Sequence, residues 1–160
     1  MDRIQQLAAQ INDRLTDAGT PTIAVAESCS GGGVASAITA NSGSSAYFLG
    51  SIVAYVNDAK ANLLGVPREI LDERGAVSRE CAEAMAMGAR AAFGADLSVS
   101  TTGIAGPTGA TERKPVGLVY IALASARGSR VVEHRFAGDR LSITRSAIEA
   151  ALSMLIEELD

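Results

Sequence analysis

Val25-Ala26-Glu27-Ser28-Cys29-Ser30-Gly31-Gly32-Gly33, with Val34 to Ala40 behind it, reads as strand, tight turn and helix. An apolar run stops at Glu27, three glycines supply the turn, and a helix-forming segment follows. The order puts Ser28, Cys29 and Ser30 at the mouth of a helix N-terminus. Unpaired N–H groups and the positive end of the helix dipole gather there, and they favour an oxyanion or a phosphate. An N-cap serine on a glycine turn would give the same pattern with no chemistry attached. No GxxxxGK[ST] element occurs, and Gly31-Gly32-Gly33 does not meet GxGxxG, so neither a P-loop nor a dinucleotide fold is supported.

Outward from that turn, helical and extended patterns alternate. Ile4, Leu7, Ala8, Ile11, Leu15 and Ala18 recur at helical spacing up to Gly19. A buried strand is expected over 23–26, a helix over 32–40, a loop over 41–45 and a strand over 48–56. Asn57 or Asp58 is expected to cap a short helix running to Leu64. Pro67 opens another short helix ending near Gly75, and Ser78 caps one running to Phe93. Residues 97–101 form a strand that enters a second glycine-rich loop, Thr102-Gly103-Ile104-Ala105-Gly106-Pro107-Thr108-Gly109. Segments 116–124 and 130–136 read as a hairpin turning near Gly128. Asp139 then caps a long final helix with Ile143, Ala147, Ile148, Ala151, Leu152 and Leu155 on one face. The pattern predicts one α/β domain over residues 1–160: three layers, α/β/α, with a mixed, mostly parallel sheet and a late antiparallel hairpin.

Composition narrows the function. The chain has 160 residues, 48% of them apolar, and a net charge of −4. That is enough for a real core, and it argues against a protein that coats nucleic acid. No apolar run approaches membrane-spanning length and no secretory leader is visible, so the cytoplasm is the expected location. Two cysteines, Cys29 and Cys81, do not make a disulfide framework. His134 is the only histidine, which excludes a histidine-rich metal centre. Spare apolar helix faces make a homodimer possible.

In open α/β sheets ligands sit beyond the carboxyl ends of the strands, so both glycine-rich loops are expected to border one cleft. Ser28 or Ser30 needs a base to become a nucleophile. Arginine cannot serve, and the chain has only two lysines, so the candidates are His134, Lys60 and Lys114. Lys60 stands on the first turn of a helix just past a strand's carboxyl end, the same layer as Ser28. Cys29 is a rival nucleophile, since a helix N-terminus lowers a thiol's pKa; yet if Ser28 faces the cleft, its neighbour faces the core. Glu27 either anchors the turn through backbone N–H groups or tunes Lys60. Arg140 is either a surface residue behind a helix cap or the partner of a ligand carboxylate or phosphate.

Eight motifs, in order, carry a resemblance. Glu27-Ser28-Cys29-Ser30-Gly31-Gly32 is similar to an ESC[TS]GG turn, Gly43-Ser44-Ser45 to a following GSS, and Tyr55-Val56-Asn57-Asp58-Ala59-Lys60 to YxNxAK. Gly65-Val66, Gly75-Ala76-Val77-Ser78, Gly103-Ile104-Ala105-Gly106-Pro107, Lys114-Pro115-Val116-Gly117 and Gly138-Asp139-Arg140 follow. Together they resemble the C-terminal domain of the CinA (competence/damage-inducible) family in its stand-alone form. The resemblance implies nicotinamide-mononucleotide deamidase activity (PncC type), giving nicotinate mononucleotide and ammonia, with no metal or other cofactor. It implies Ser28 as nucleophile, Lys60 as base and Tyr55 beside them. Glu27, Ser30, Gly31, Gly32, Ser45, Gly103, Ala105, Gly106 and Arg140 are then expected to line the substrate site. Ser30 stands where many members have threonine and keeps the hydroxyl. The family's competence and damage names also admit a nucleotide-binding or regulatory module without catalysis.

Overall fold

Five consecutive buried residues, Ile23–Glu27, make β1 the centre of the molecule. A strand covered on both faces reads as a continuous apolar run, which is why this segment does not alternate. The computed structural model describes residues 1–160. Its elements are α1 (Arg3–Leu15), β1, α2 (Gly33–Thr39), β2 (Phe48–Val53), α3 (Asn57–Leu64), α4 (Arg68–Glu73) and α5 (Arg79–Phe93). Then come β3 (Leu97–Gly103), β4 (Leu118–Ser125), β5 (Gly128–Arg135) and α6 (Arg140–Leu159).

The sheet order is β2-β1-β3-β4-β5. β1 pairs in parallel with β2 and β3, whereas β3–β4 and β4–β5 are antiparallel. Strand β4 alone therefore runs against the other four. Helices α1, α2 and α6 cover one face, in a cluster with Ile23, Val25, Val99 and Ile121. Helices α3, α4 and α5 cover the other, against Ala26, Ala54, Ala122 and Ala124. This is the expected three-layer α/β/α domain.

β3 shows how the layers interlock. Its Ser98, Ser100 and Thr102 hydroxyls donate to the carbonyls of Ala86, Ala82 and Ala76. Its alternate residues Leu97 and Val99 enter the opposite core. Small residues on α5 allow that close approach. Gly88 is the extreme case: a Cβ there would sit 1.9 Å from the Leu64 carbonyl oxygen at the end of α3.

Ser78 and Asp139 cap α5 and α6 as expected, accepting from Cys81 and Ser142 N–H. Three local expectations need correction, and one cap was not read. β2 ends at Val53, not at 56, because the chain turns away to begin α3. The N-cap of α3 is Val56 with no side-chain cap, so neither Asn57 nor Asp58 fills that role. Segment 44–46 is a short 3-10 turn within the expected loop. Asp2 and Gln5 form a capping box on α1, a Asp-x-x-Gln spacing that was available to read.

Candidate active site

β1 and β2 run side by side and stop at the same level, with Glu27 opposite Val53 and the Ala54 N–H donating to the Glu27 carbonyl at 2.9 Å. The two connections that leave this point carry Ser28 and, one helical turn on, Lys60. Parallel pairing alone thus brings together residues 32 positions apart. Lys60 Nζ lies 2.8 Å from Ser28 Oγ and 2.8 Å from the Tyr55 carbonyl. Ser28 is 7% exposed and Lys60 1%.

Lys60 belongs to no ion pair, since all six salt bridges join other residues. Burial without a carboxylate partner disfavours the ammonium and pulls its pKa below the ordinary lysine value. Nζ donates to the Tyr55 carbonyl and to Ser28 Oγ, and on losing a proton it can turn its lone pair to the Ser28 hydroxyl instead. The rival nucleophile is poorly placed. Cys29 packs against the core and touches the edge of the same cavity, and burial pushes its thiol up to about 11 against weaker contributions from Thr101 and Lys60.

The other candidate bases are elsewhere. His134 lies on β5, stacked on Phe136 with ring centroids 4.9 Å apart. Three strand spacings of about 4.8 Å separate β5 from β1. Lys114 donates to the Arg74 carbonyl at 2.5 Å.

Glu27 anchors the turn. Its carboxylate accepts from Ser30 Oγ, Val34 N–H, Ala35 N–H and Ser51 Oγ at 2.7, 2.8, 3.2 and 3.0 Å. This corrects the expectation that the α2 N-terminus is open to an anion, because Glu27 already holds its first-turn N–H groups. Around the turn, Gly31 and Gly33 N–H donate to the Ser28 and Ser30 carbonyls, and Ser28 N–H donates to Thr101 O. The N–H groups of Cys29, Ser30 and Gly32 make no hydrogen bond within the chain. Gly31 and Gly32 take φ of +59° and +96°, values that only glycine adopts without strain.

A cavity of about 190 Å³ opens onto the Ser28–Lys60 pair. Of the expected site residues, it brings together Ser28, Lys60, Tyr55, Gly103, Ala105 and Arg140. Gly106 contributes indirectly: its carbonyl accepts from Arg140 Nη1 at 2.7 Å. Glu27, Ser30, Gly31 and Gly32 stand behind or within the turn and do not line the cavity. Ser45 is a misplacement. It sits on the 3-10 turn before β2, exposed, at the opposite end of the strands, roughly 15 Å away at 3.3 Å per residue. Tyr55 reaches Lys60 through its carbonyl, not its phenol; the phenol is 58% exposed and accepts from Arg140 Nη2 at 2.9 Å.

Asn57, Ala76, Val77 and Thr102 complete the lining and were not among the expected site residues. All four lie in segments already noted, the YxNxAK and Gly75–Ser78 motifs and the second glycine-rich loop, so membership in those segments was the available signal. A larger cavity of about 500 Å³, between α4 and α5, brings no nucleophile to a base. No three His, Cys, Asp or Glu side chains gather in a metal-binding group. No helix is long and apolar enough to cross a membrane.

Known proteins resemble this chain in sequence and fold. The CinA C-terminal domain family model matches residues 4–159. A CinA-like protein of Geobacter sulfurreducens is 51% identical over 138 residues, which cover 86% of this chain and 33% of that protein. The chain thus spans about a third of the length of such curated relatives. Among solved structures, the competence/damage inducible protein CihA of Agrobacterium tumefaciens has a TM-score of 0.94 at 42% identity, covering 98% of this chain and 96% of that one. A CinA superfamily protein of Escherichia coli has a TM-score of 0.92 at 32% identity, covering 97% and 90%. With a family match over nearly its whole length, this chain belongs to the CinA C-terminal domain family.

Proposed function

We propose that this chain is an amidohydrolase that converts nicotinamide mononucleotide to nicotinate mononucleotide and ammonia through a Ser28–Lys60 dyad. One observation carries the reading: a buried amine without a counter-ion lies 2.8 Å from a serine hydroxyl at the floor of a cavity. A module that only binds has no use for a buried lysine with a lowered pKa beside a serine hydroxyl.

Lys60 Nζ takes the Ser28 proton as Oγ attacks the carboxamide carbon. The Cys29 N–H, without a backbone partner and on a residue that lines the cavity, is the donor offered to the resulting oxyanion. The C–N bond then breaks, Lys60 returns its proton to the leaving nitrogen, and ammonia departs. Water attacks the Ser28 ester with Lys60 again as base, releasing the nicotinate product and restoring the hydroxyl. At the rim, Arg140 spends one nitrogen on Gly106 and another on Tyr55, which leaves guanidinium hydrogens for the substrate phosphate. The Gly103–Gly109 loop offers the opposite wall.

Purified protein incubated with nicotinamide mononucleotide is expected to release ammonia and nicotinate mononucleotide in equal amounts. Lys60→Ala is expected to lose about 10²–10⁴-fold in rate, the range of a general base. Thermal stabilisation by the nucleotide with no ammonia released would instead favour the regulatory module.

A further inference from the structure

Thr101 lies behind the nucleophile turn, fully buried, and reaches no cavity. Its Oγ1 is 2.7 Å from Ser30 Oγ and 3.3 Å from the Ser28 nitrogen. The direction of these bonds follows from counting hydrogens. Val34 and Ala35 N–H can only donate, so the Glu27 carboxylate is an acceptor, and Ser30 gives it its single hydroxyl hydrogen. Ser30 can then only accept from Thr101, and Thr101 Oγ1, its own hydrogen spent, can only accept from Ser28 N–H. The Ser28 N–H also donates to the Thr101 carbonyl at 3.1 Å. A single chain of bonds runs from the Glu27 carboxylate to the backbone of the nucleophile, and every hydroxyl in it has one permitted orientation.

We propose that Thr101 is a positioning residue for the reaction: through Ser30 and the Ser28 N–H it holds the Ser28 backbone so that Oγ stays within reach of Lys60. The inference rests on Ser28 being the nucleophile and deepens the reading above. It assigns the Ser28 N–H to the fold and leaves the oxyanion to its neighbour Cys29. Displacing a reacting atom by about 1 Å costs on the order of 10²-fold in rate, so the loss of one hydroxyl here is felt in the chemical step.

Two readouts test it: turnover of nicotinamide mononucleotide, and the rate at which a fluorophosphonate probe labels Ser28, which needs no knowledge of the substrate. Thr101→Val, which keeps the shape, is expected to slow both kcat and labelling about 10–10²-fold with KM unchanged. Thr101→Ser restores both. Ser30→Ala reproduces the loss, and the double variant costs no more than either single one, because the residues act as one chain. If Thr101→Val is poorly folded, Ser30→Ala decides. Wild-type labelling and turnover in Thr101→Val and Ser30→Ala, or an equal loss in Thr101→Ser, would overturn the proposal. Labelling at Ser28 that follows this pattern without ammonia from the nucleotide would sink the substrate assignment and leave Thr101's role standing. A folded wild type that is not labelled at Ser28 overturns both.

Discussion

In the proposed mechanism Lys60 carries the chemistry because it is in the wrong place for a lysine. An ammonium 1% exposed and without a carboxylate costs stability, and that cost pulls the Lys60 pKa below the ordinary lysine value. The unfolded chain keeps its proton. The penalty is therefore complete below the folded pKa, shrinks as pH rises towards the ordinary lysine value and vanishes above it. Lys60→Met is expected to raise Tm at neutral pH, by about 2–4 °C for each kcal/mol relieved in a chain of this size. Its activity is expected to vanish. In the wild type, the acid limb of kcat/KM is expected below the ordinary lysine range, since protonated Lys60 cannot accept from Ser28. Calorimetry and a pH–rate profile check both, and a Tm lowered by Lys60→Met would show that the buried charge is not a liability. Two of the residue roles were open in the sequence for good reason. Glu27's carboxylate had two plausible partners until the turn placed four donors around it. Tyr55's phenol and carbonyl point to different partners, which no spacing reveals.

At the scale of elements, α3 is the part that aims the base, and its position depends on α5. Contact between the two is closed at Gly88, where the Leu64 carbonyl at the end of α3 occupies the space of a side chain. Gly88→Ala forces α3 away from α5. Overpacking of this kind costs about 1–3 kcal/mol, or some 2–4 °C in Tm per kcal/mol, and kcat is expected to fall with it because Lys60 moves with its helix. Unchanged Tm and kcat would mean that α3 is not held by this contact. Most elements were legible because each carries its own signal: the unbroken apolar run of β1, the caps Ser78 and Asp139, the helical period of α6. Element ends were less so. Val56 caps α3 with no hydrogen-bonding side chain, and β2 stops where tertiary pairing ends rather than where its apolar residues do.

Over the whole molecule, the fold works by convergence. The cavity draws lining from residues 28–29, 55–60, 76–77, 102–105 and 140, segments that meet at one end of the sheet only because β1, β2 and β3 run parallel. That is why the dyad was within reach of sequence reasoning, being set by two adjacent strand ends, while the place of the Gly75–Ser78 motif at the same cavity was not. It is also why Ser45, close to Tyr55 in sequence, falls at the far end. The chain is acidic overall, yet the basic side chains at this cavity are Lys60 and Arg140, one buried near Ser28 and one at the rim. The account stands or falls on where the acyl group forms during turnover. Rapid quenching with nicotinamide mononucleotide, followed by peptide mass analysis, is expected to find an adduct equal to the substrate less ammonia on Ser28. The adduct should persist in Cys29→Ala and disappear, together with ammonia release, in Ser28→Ala. Undiminished turnover in Ser28→Ala, or an adduct carried by Cys29, would contradict it.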